Sequence, residues 1–200
     1  MAKLSYLIGS DSEYRFYLKT YGFSRVSIKK YFLDPYDLIF KDSTPDVLLS
    51  ESHQAKFSNH FGYVNLFPLF FGYVEPHSKE LRRVMSLLSK KNDMISKDGL
   101  RSLSFSDNFF GTKGNYWRGK IWIPHNYLLL RGIINHYINS TSWNSLFNNL
   151  RKKIVHTVCN NFEISQTFFE NYNGISGDGS DSEYFNGWTS LITLIISGNF

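Results

Sequence analysis

Apolar residues recur at helical spacing over most of the chain after residue 60, and this pattern restricts the fold more than any other feature. The clearest case is Trp143, Phe147, Leu150, Ile154 and Val158, which repeat every three or four residues. Such residues share one face of an amphipathic helix. Strand signals are nearly absent after residue 60. The sequence therefore predicts an all-α fold.

Several flanking helices carry their own start signals. Ser78 is predicted to cap a helix, because Leu81, Val84 and Leu88 follow at helical spacing. Pro124 stands where a first-turn proline belongs, ahead of another apolar face. A last helix is predicted to begin near residue 188.

The most apolar run, residues 61–74, is predicted to form a buried helix. Pro68 lies inside it, where a proline removes a backbone hydrogen bond and kinks the helix. Asn65 also interrupts the run, which is shorter than the roughly 20 apolar residues that span a bilayer. We therefore expect no membrane segment in this chain. The N-terminus does not resemble a signal peptide either.

The beginning of the chain is harder to interpret. A capping-box pattern that starts at Ser10 predicts a short helix ending near Gly22. Partial alternation over residues 23–33 predicts an extended segment. Residues 42–52 are predicted to form a polar loop.

Charge and metal-ligand spacing exclude two functional classes. The net charge of +5 is spread over short groups, which is typical of solvated surfaces and not of a nucleic-acid-binding stripe. Cys159 is the only cysteine, so no internal disulfide can form, and we expect it in the core. The six histidines show no metal-ligand spacing. We therefore expect no nucleic-acid partner, no metal and no cofactor.

Two long segments without periodicity interrupt the helices, at residues 92–122 and 173–186. Both are rich in Gly, Asn, Asp and aromatic residues, and loops at one end of a rigid scaffold often carry binding and catalysis. Glu170 precedes the second loop, between Phe169 and Tyr172. Aromatic surface partly desolvates a carboxylate, which suits a general base. The alternative is a surface carboxylate that happens to follow two phenylalanines.

Six segments together resemble glycoside hydrolase family 63, and within it the eukaryotic enzymes that process N-glycans. They are GYVNLFP (62–68), GLRSLS (99–104), YWRGKIWI (116–123), NYL (126–128), FENY (169–172) and GWTSL (187–191). The resemblance implies that residues 57–200 form the C-terminal part of an (α/α)₆ toroid. This part is incomplete, since six hairpins need a dozen helices. Residues 1–56 match poorly and are predicted to be a separate N-terminal segment.

The resemblance also implies a reaction. It is inverting hydrolysis that removes the terminal α-1,2-linked glucose from the glucosylated N-glycan precursor in the endoplasmic reticulum. Such enzymes use one carboxyl group as acid and another as base. The family's base corresponds to Glu170, and its acid is an Asp expected in a missing N-terminal half of the domain. We therefore expect little hydrolysis by this chain alone. The alternative is a non-catalytic carbohydrate- or partner-binding remnant.

Five residues in the resembling segments are candidates for substrate binding. Tyr116, Trp117 and Trp122 either stack on a pyranose face or pack in the core. Arg118 either bonds sugar hydroxyls or the base, or pairs with a buried carboxylate. Asn126 either faces the cleft or makes a local cap.

Other positions have open alternatives. Trp188 shares a helical face with apolar residues and is predicted to lie in the core. Asp178, Asp181 and Glu183 could supply a second carboxylate, but a solvated turn is the simpler interpretation in so glycine-rich a loop. Asn139-Ser140-Thr141 is a glycosylation sequon in a predicted break between helices, and such sequences are also common by chance. An incomplete toroid would expose apolar faces, which predicts aggregation or a partner.

Overall fold

The computed structural model describes residues 1–43, 57–112 and 114–200. Helices dominate it, and the all-α prediction is confirmed. The helices are α1 (Ala2–Leu7), α2 (Asp11–Phe32), α3 (Tyr63–Phe70), α4 (Lys79–Leu88), α5 (Ile123–His136), α6 (Thr141–Ser165) and α7 (Ile192–Ser197). Two short antiparallel pairs accompany them, β1 (Leu33–Asp34) with β2 (Ile39–Phe40) and β3 (Asn171–Tyr172) with β4 (Gly179–Ser180).

The core lies where α5 packs against α3 on one side and α6 on the other. Leu66 of α3, Ile133 of α5 and Ile154 of α6 are fully buried in one hydrophobic cluster. Gly132 allows the close approach of α5 to α3, because a Cβ there would lie 3.0 Å from the carbonyl oxygen of Leu69. None of the described helices combines the length and hydropathy needed to cross a bilayer.

Helix α6 confirms the clearest periodicity in the sequence. All five residues of its predicted apolar face are buried. The helix has 25 residues and ends where Gln166 adopts a left-handed conformation with φ of 56°. At 1.5 Å per residue it is about 37 Å long. Cys159 is half-buried on this helix.

The predicted starts of α4 and α5 are confirmed, while α3 is shorter than expected. Ser78 Oγ accepts a hydrogen bond of 3.0 Å from the Leu81 N–H and so caps α4. Pro124 lies in the first turn of α5. Helix α3 covers only the middle of the apolar run at residues 61–74 and contains Pro68.

The predicted helix start at Ser10 is confirmed, since α2 begins at Asp11, but the predictions for the residues after that start are wrong. Helix α2 runs without interruption through Gly22, so residues 23–32 are helical and not extended. A glycine inside a helix lowers helix stability by only about 1 kcal/mol relative to alanine, so Gly22 does not end α2. The Ser10 side chain makes no capping hydrogen bond. The polar loop predicted at residues 42–52 lies outside the described residues except for its first two positions.

Candidate active site

Helix α6 holds the first long loop, residues 92–122. Lys153 Nζ donates to the Ser96 carbonyl at 2.7 Å. One turn further, Thr157 Oγ1 donates to the Asp98 carbonyl at 3.0 Å. Both acceptors are backbone atoms, so these bonds fix the course of the loop and do not only orient side chains.

The same helix face holds the second long loop, residues 173–186, here called the glycine loop. The Asn161 side chain makes two hydrogen bonds to it. Its Nδ2 donates to the Gly177 carbonyl at 2.9 Å, and its Oδ1 accepts the Gly179 N–H at 2.7 Å. Both long loops are therefore bonded to the C-terminal half of α6.

The two loops are also bonded to each other. Ile121 and Tyr172 exchange backbone hydrogen bonds of 2.8 and 2.9 Å. Lys120 Nζ lies 2.6 Å from Asp181 Oδ1. Glu170 follows α6 and precedes β3, so it stands where the helix and both loops meet.

Arg101 is a second organising group, which sequence reasoning missed although it lies in a resembling segment. Its side chain is buried and donates to the carbonyl oxygens of Asn92, Asp93 and Gly174, at 2.6, 2.7 and 2.7 Å. One guanidinium therefore ties the start of the first loop to the glycine loop. Its burial lowers the pKa of Arg101 without removing its charge at neutral pH.

Glu170 is fixed at its backbone and at its carboxylate. Its N–H donates to the Ser182 carbonyl at 2.9 Å, and its carbonyl accepts the Trp188 indole N–H at 2.9 Å. The Tyr116 hydroxyl donates to Glu170 Oε1. The half-buried carboxylate therefore has one oxygen bound to a phenol.

Tyr116 is held in place for this contact. It lies in a 3₁₀ turn at Asn115–Trp117, and its carbonyl accepts the Trp122 indole N–H at 3.1 Å. Its ring packs edge-on against Trp122, with centroids 4.6 Å apart. The hydrogen bond to Glu170 raises the pKa of Tyr116 to about 12. The phenol therefore keeps its proton, and remains a donor, throughout the physiological range.

Trp117 is the predicted aromatic with the most exposed ring. It is 50% exposed, and its ring stacks on Trp122 with centroids 4.1 Å apart and an interplanar angle of 14°. Trp122 itself is completely buried. The pair therefore forms a backed platform, in which a buried ring fixes an exposed one.

Two predicted substrate ligands face the protein interior. Trp122 and Asn126 are both 0% exposed. Asn126 Oδ1 accepts the Leu100 N–H at 2.9 Å, and its Nδ2 donates to the carbonyls of Leu100 and Trp122. The expectation that these two side chains contact substrate is corrected here, because their polar atoms bind the backbone beneath the site.

Arg118 contacts other residues of the first long loop. Its Nη1 donates to Thr112 Oγ1 at 3.0 Å, and its guanidinium lies 5.1 Å from the centre of the Phe109 ring. These contacts hold the side chain beside Trp117. Binding of a sugar by Arg118 stays a prediction.

A cavity of about 450 Å³ adjoins Trp117. His125 lines it and stacks on Tyr63, with centroids 4.1 Å apart and planes 6° from parallel. Burial lowers the pKa of His125 to about 4, so its ring is neutral at physiological pH. His60, at the exposed side, pairs with Asp107 at 2.9 Å. Sequence reasoning missed His125, because a lone histidine gives no metal-ligand or catalytic spacing.

Two expectations for residues that follow Glu170 in the chain are wrong. Trp188 is 39% exposed and lies in a 3₁₀ turn beside Glu170, outside the core. Asp181 is no freely solvated turn residue, since its oxygens accept from Lys120 Nζ and from Asn171 Nδ2, each at 2.6 Å. Burial alone would raise the pKa of Asp181, but these hydrogen bonds outweigh it and hold the pKa below its usual range.

Among the described residues, no group of three or more His, Cys, Asp or Glu side chains is arranged to hold a metal ion. The chemistry that the site offers is that of a carboxylate, a phenol and exposed indole rings. A carboxylate with a fixed donor on one oxygen can accept a proton on the other. Indole rings offer flat apolar surface with a polar edge.

Comparison with known proteins identifies relatives of this arrangement. The profile of the glycosyl hydrolase family 63 C-terminal domain matches residues 22–198. The match begins ahead of the boundary at residue 57 that the sequence suggested. A probable mannosyl-oligosaccharide glucosidase of Schizosaccharomyces pombe is 39% identical over 146 residues, which cover 70% of this chain and 18% of that protein. The mannosyl-oligosaccharide glucosidase of Saccharomyces cerevisiae is 32% identical over 149 residues, with the same coverage of 70% and 18%.

Solved structures share the fold. The family 63 mannosylglycerate hydrolase from Thermus thermophilus, in complex with Tris, superimposes with a TM-score of 0.69 at 19% identity. The match covers 98% of this chain and 41% of that one. Family 63 neighbours have the (α/α)₆ toroid fold, which confirms the predicted fold class. The chain spans about a fifth of the length of the curated relatives it matches.

Proposed function

Because the chain belongs to glycosyl hydrolase family 63, we propose that it forms the C-terminal part of an α-glucosidase domain in N-glycan processing. The substrate is the glucosylated N-glycan precursor, and the reaction removes its terminal α-1,2-linked glucose with inversion. The hydrogen bond from Tyr116 to the Glu170 carboxylate carries this proposal. The compartment is the endoplasmic reticulum, as for a precursor-processing enzyme.

Glu170 acts as the general base. Tyr116 occupies Oε1, so the other carboxylate oxygen takes the proton of the attacking water. The backbone bonds to Ser182 and Trp188 keep the carboxylate in position as charge moves away from it. A positioned base of this kind contributes roughly 10²–10⁴-fold to the rate.

Inversion needs a second carboxyl group about 6.5–9.5 Å away, with room for water between the two. In this proposal an Asp from outside the chain supplies that acid. The exposed ring of Trp117, backed by Trp122, packs against the apolar face of the glucose. Trp122 and Asn126 are positioning residues, since both are fully buried, Trp122 directly behind the Trp117 ring.

Sugar binding can be measured on the chain as it exists. Titration with glucose and with an α-1,2-linked glucose disaccharide should change tryptophan fluorescence, because Trp117 and Trp188 are partly exposed. Trp117→Ala should weaken binding at least tenfold. Phe16→Ala removes a still more exposed aromatic ring, from α2, and should leave binding unchanged. Failure of both sugars to bind, or equal binding by Trp117→Ala, would contradict the proposal.

Catalysis is tested by a graft. Residues 57–198 replace the aligned segment in the fission yeast relative, and release of terminal glucose is assayed. Glu170→Gln should lower kcat by roughly 10²–10⁴-fold. Glu183→Gln, at an exposed position of the glycine loop, should not lower it. Tyr116→Phe should lower kcat less than Glu170→Gln does, since it removes the donor to the base but keeps the carboxylate.

The second candidate is a carbohydrate-binding remnant without catalysis. The observation that favours it is the exposed ring of Trp117 stacked on Trp122, because an indole ring can bind the apolar face of a sugar without taking part in a reaction. A graft that binds the disaccharide but releases no glucose, with a folded circular-dichroism spectrum, would favour this candidate over the first.

A further inference from the structure

The loop between α5 and α6 contains the only Asn-X-Ser/Thr sequence of the chain, Asn139-Ser140-Thr141. The Asn139 side chain is exposed, and no hydrogen bond among the described residues uses its amide. The loop is nevertheless ordered, since the Ser140 N–H donates to the Tyr137 carbonyl at 3.1 Å and its own carbonyl starts α6 by accepting from Asn144. A substituent on Asn139 would therefore replace no internal contact.

A cavity of about 370 Å³ opens beside this loop, and Asn139 is one of its lining residues. Its volume lies within the roughly 300–1,000 Å³ typical of ligand pockets. Leu81, Met85 and Trp143 give the cavity an apolar lining. Arg82 adds a guanidinium donor at an exposed position.

The chemistry of this cavity matches a hexosamine ring. A pyranose has one apolar face, and N-acetylglucosamine adds hydroxyl and acetamido groups at its edge. His136 also lines the cavity, and burial together with the charge of Arg131 lowers the pKa of His136. A neutral imidazole offers one donor and one acceptor, which suits neutral sugar groups better than an anion.

The position of the loop keeps it clear of the candidate active site. Thr141 begins α6, and the bonds to the two long loops are made from Lys153 and Asn161. Asn161 lies 20 residues after Thr141, which is roughly 30 Å along a helix axis. A glycan on Asn139 would therefore leave the cleft beside Glu170 open.

We propose that Asn139 is an N-glycan acceptor and that the cavity beside it receives the first N-acetylglucosamine of that glycan. The proposal rests on the proposed function in one respect, which is that the chain resides in the compartment where N-glycans are attached. The enzyme would then carry a modification of the same class as its substrate.

Occupancy is tested with the full chain expressed behind a cleavable secretory leader in a yeast host. Intact-mass measurement should show one oligomannose glycan, which peptide N-glycosidase removes. Asn139→Gln and Thr141→Ala should abolish this mass increment. Ser140→Ala changes only the variable middle position and should retain it. A wild-type chain without the increment, or an Asn139→Gln chain that keeps it, would overturn the acceptor site.

The cavity contact is tested by thermal unfolding of the glycosylated chain. An endoglycosidase trims the glycan to one N-acetylglucosamine. Peptide N-glycosidase instead removes the whole glycan and leaves Asp at residue 139. The trimmed form should melt about 2–4 °C higher, which corresponds to about 1 kcal/mol for a chain of this size. The unglycosylated Asn139→Asp variant should have the same Tm as the chain from which peptide N-glycosidase has removed the glycan.

Two variants of α4 separate the cavity from general stability. Arg82→Ala should narrow the difference in Tm between trimmed and bare chains, because Arg82 lines the cavity. Lys79→Ala removes an exposed cation of the same helix that does not line the cavity, and it should leave this difference in Tm unchanged. Equal Tm values for trimmed and bare wild type would overturn the cavity contact. Sugar binding at Trp117, measured in the same preparation, reports on the proposed function separately.

Discussion

The two longest helices of the molecule differ in what they bury. Helix α6 has 25 residues and buries six of them, including Ile154 at 0% exposure. Helix α2 has 22 residues and buries none within the described part of the chain. Phe16, Phe23 and Val26 on α2 are each more than 60% exposed. The two helices are therefore similar in length, but α6 forms part of the core and α2 lies on the surface.

The contacts of each helix explain the difference. Helix α6 has a core on one side and both long loops bonded to it. Helix α2 is attached by polar side chains and by Ile28, which is only partly buried against the core. Tyr21 donates to the Gly72 carbonyl at 2.8 Å, and Lys29 pairs with Glu80 at 2.7 Å. Such surface pairs contribute about 0–1 kcal/mol each. Apolar residues on a helix stabilise the chain only where another element covers them. The expectation that exposed apolar faces lead to aggregation or to a partner stays a prediction.

The strongest test of this contrast exchanges apolar residues for alanine on the two helices. Ile154→Ala should lower the free energy of unfolding by about 2–5 kcal/mol, since it leaves a cavity in a closed core. Val26→Ala, at 67% exposure, should change it by about 0.5 kcal/mol or less. Urea unfolding followed by circular dichroism measures both. Equal losses would mean that α2 is covered in solution.

A smaller effect separates the role of α6 as an anchor from its role in the core. Asn161→Ala should cost about 1–3 kcal/mol, because the bonded backbone groups of Gly177 and Gly179 lose their partner. Amide exchange in the glycine loop should accelerate. Asn160→Ala removes an exposed neighbour that bonds only His156 among the described contacts, and it should affect neither quantity. Unchanged exchange in Asn161→Ala would contradict the anchoring role.

The smallest expected effect concerns the ion pair between the loops. Lys120 and Asn171 hold the pKa of Asp181 below its usual range. Between that lowered value and the unfolded value of about 3.9, the unfolded chain binds more protons, so stability falls as pH drops through this window. The loss should stay below about 1 kcal/mol, since the pair is partly exposed.

Acid titration of unfolding checks this sign. Asp181→Asn should flatten the dependence of the free energy of unfolding on pH below about pH 4. A steeper dependence in Asp181→Asn would mean that the carboxylate destabilises the loops.

Helix α6 could be predicted from the sequence and helix α2 only in part, for the same physical reason that separates their burial. The periodicity of α6 was readable because a core imposes it at Trp143 and Ile154. Ser78 was readable because capping is a local interaction. No residue of α2 is fully buried, so its apolar positions show no clear period, and neither the helical state of residues 23–32 nor the continuity through Gly22 can be read from the sequence.

The candidate site was predictable residue by residue but not in its contacts. Glu170 and Tyr116 were both singled out, yet 54 residues separate them and no spacing rule relates their side chains. The inward direction of Asn126 depends on where the first loop passes. The pairing of Asp181 depends on where Lys120 lies in the other loop.

The backbone exchange between Ile121 and Tyr172 also bears on the order of folding. Its two residues are 51 positions apart, and contacts of such long range form late, because the intervening chain must first be ordered. Helices α5 and α6 lie within that interval and contact each other directly. During synthesis this helical hairpin is complete before Glu170 and Tyr172 are available, so the pairing of Ile121 with Tyr172 follows the formation of the hairpin.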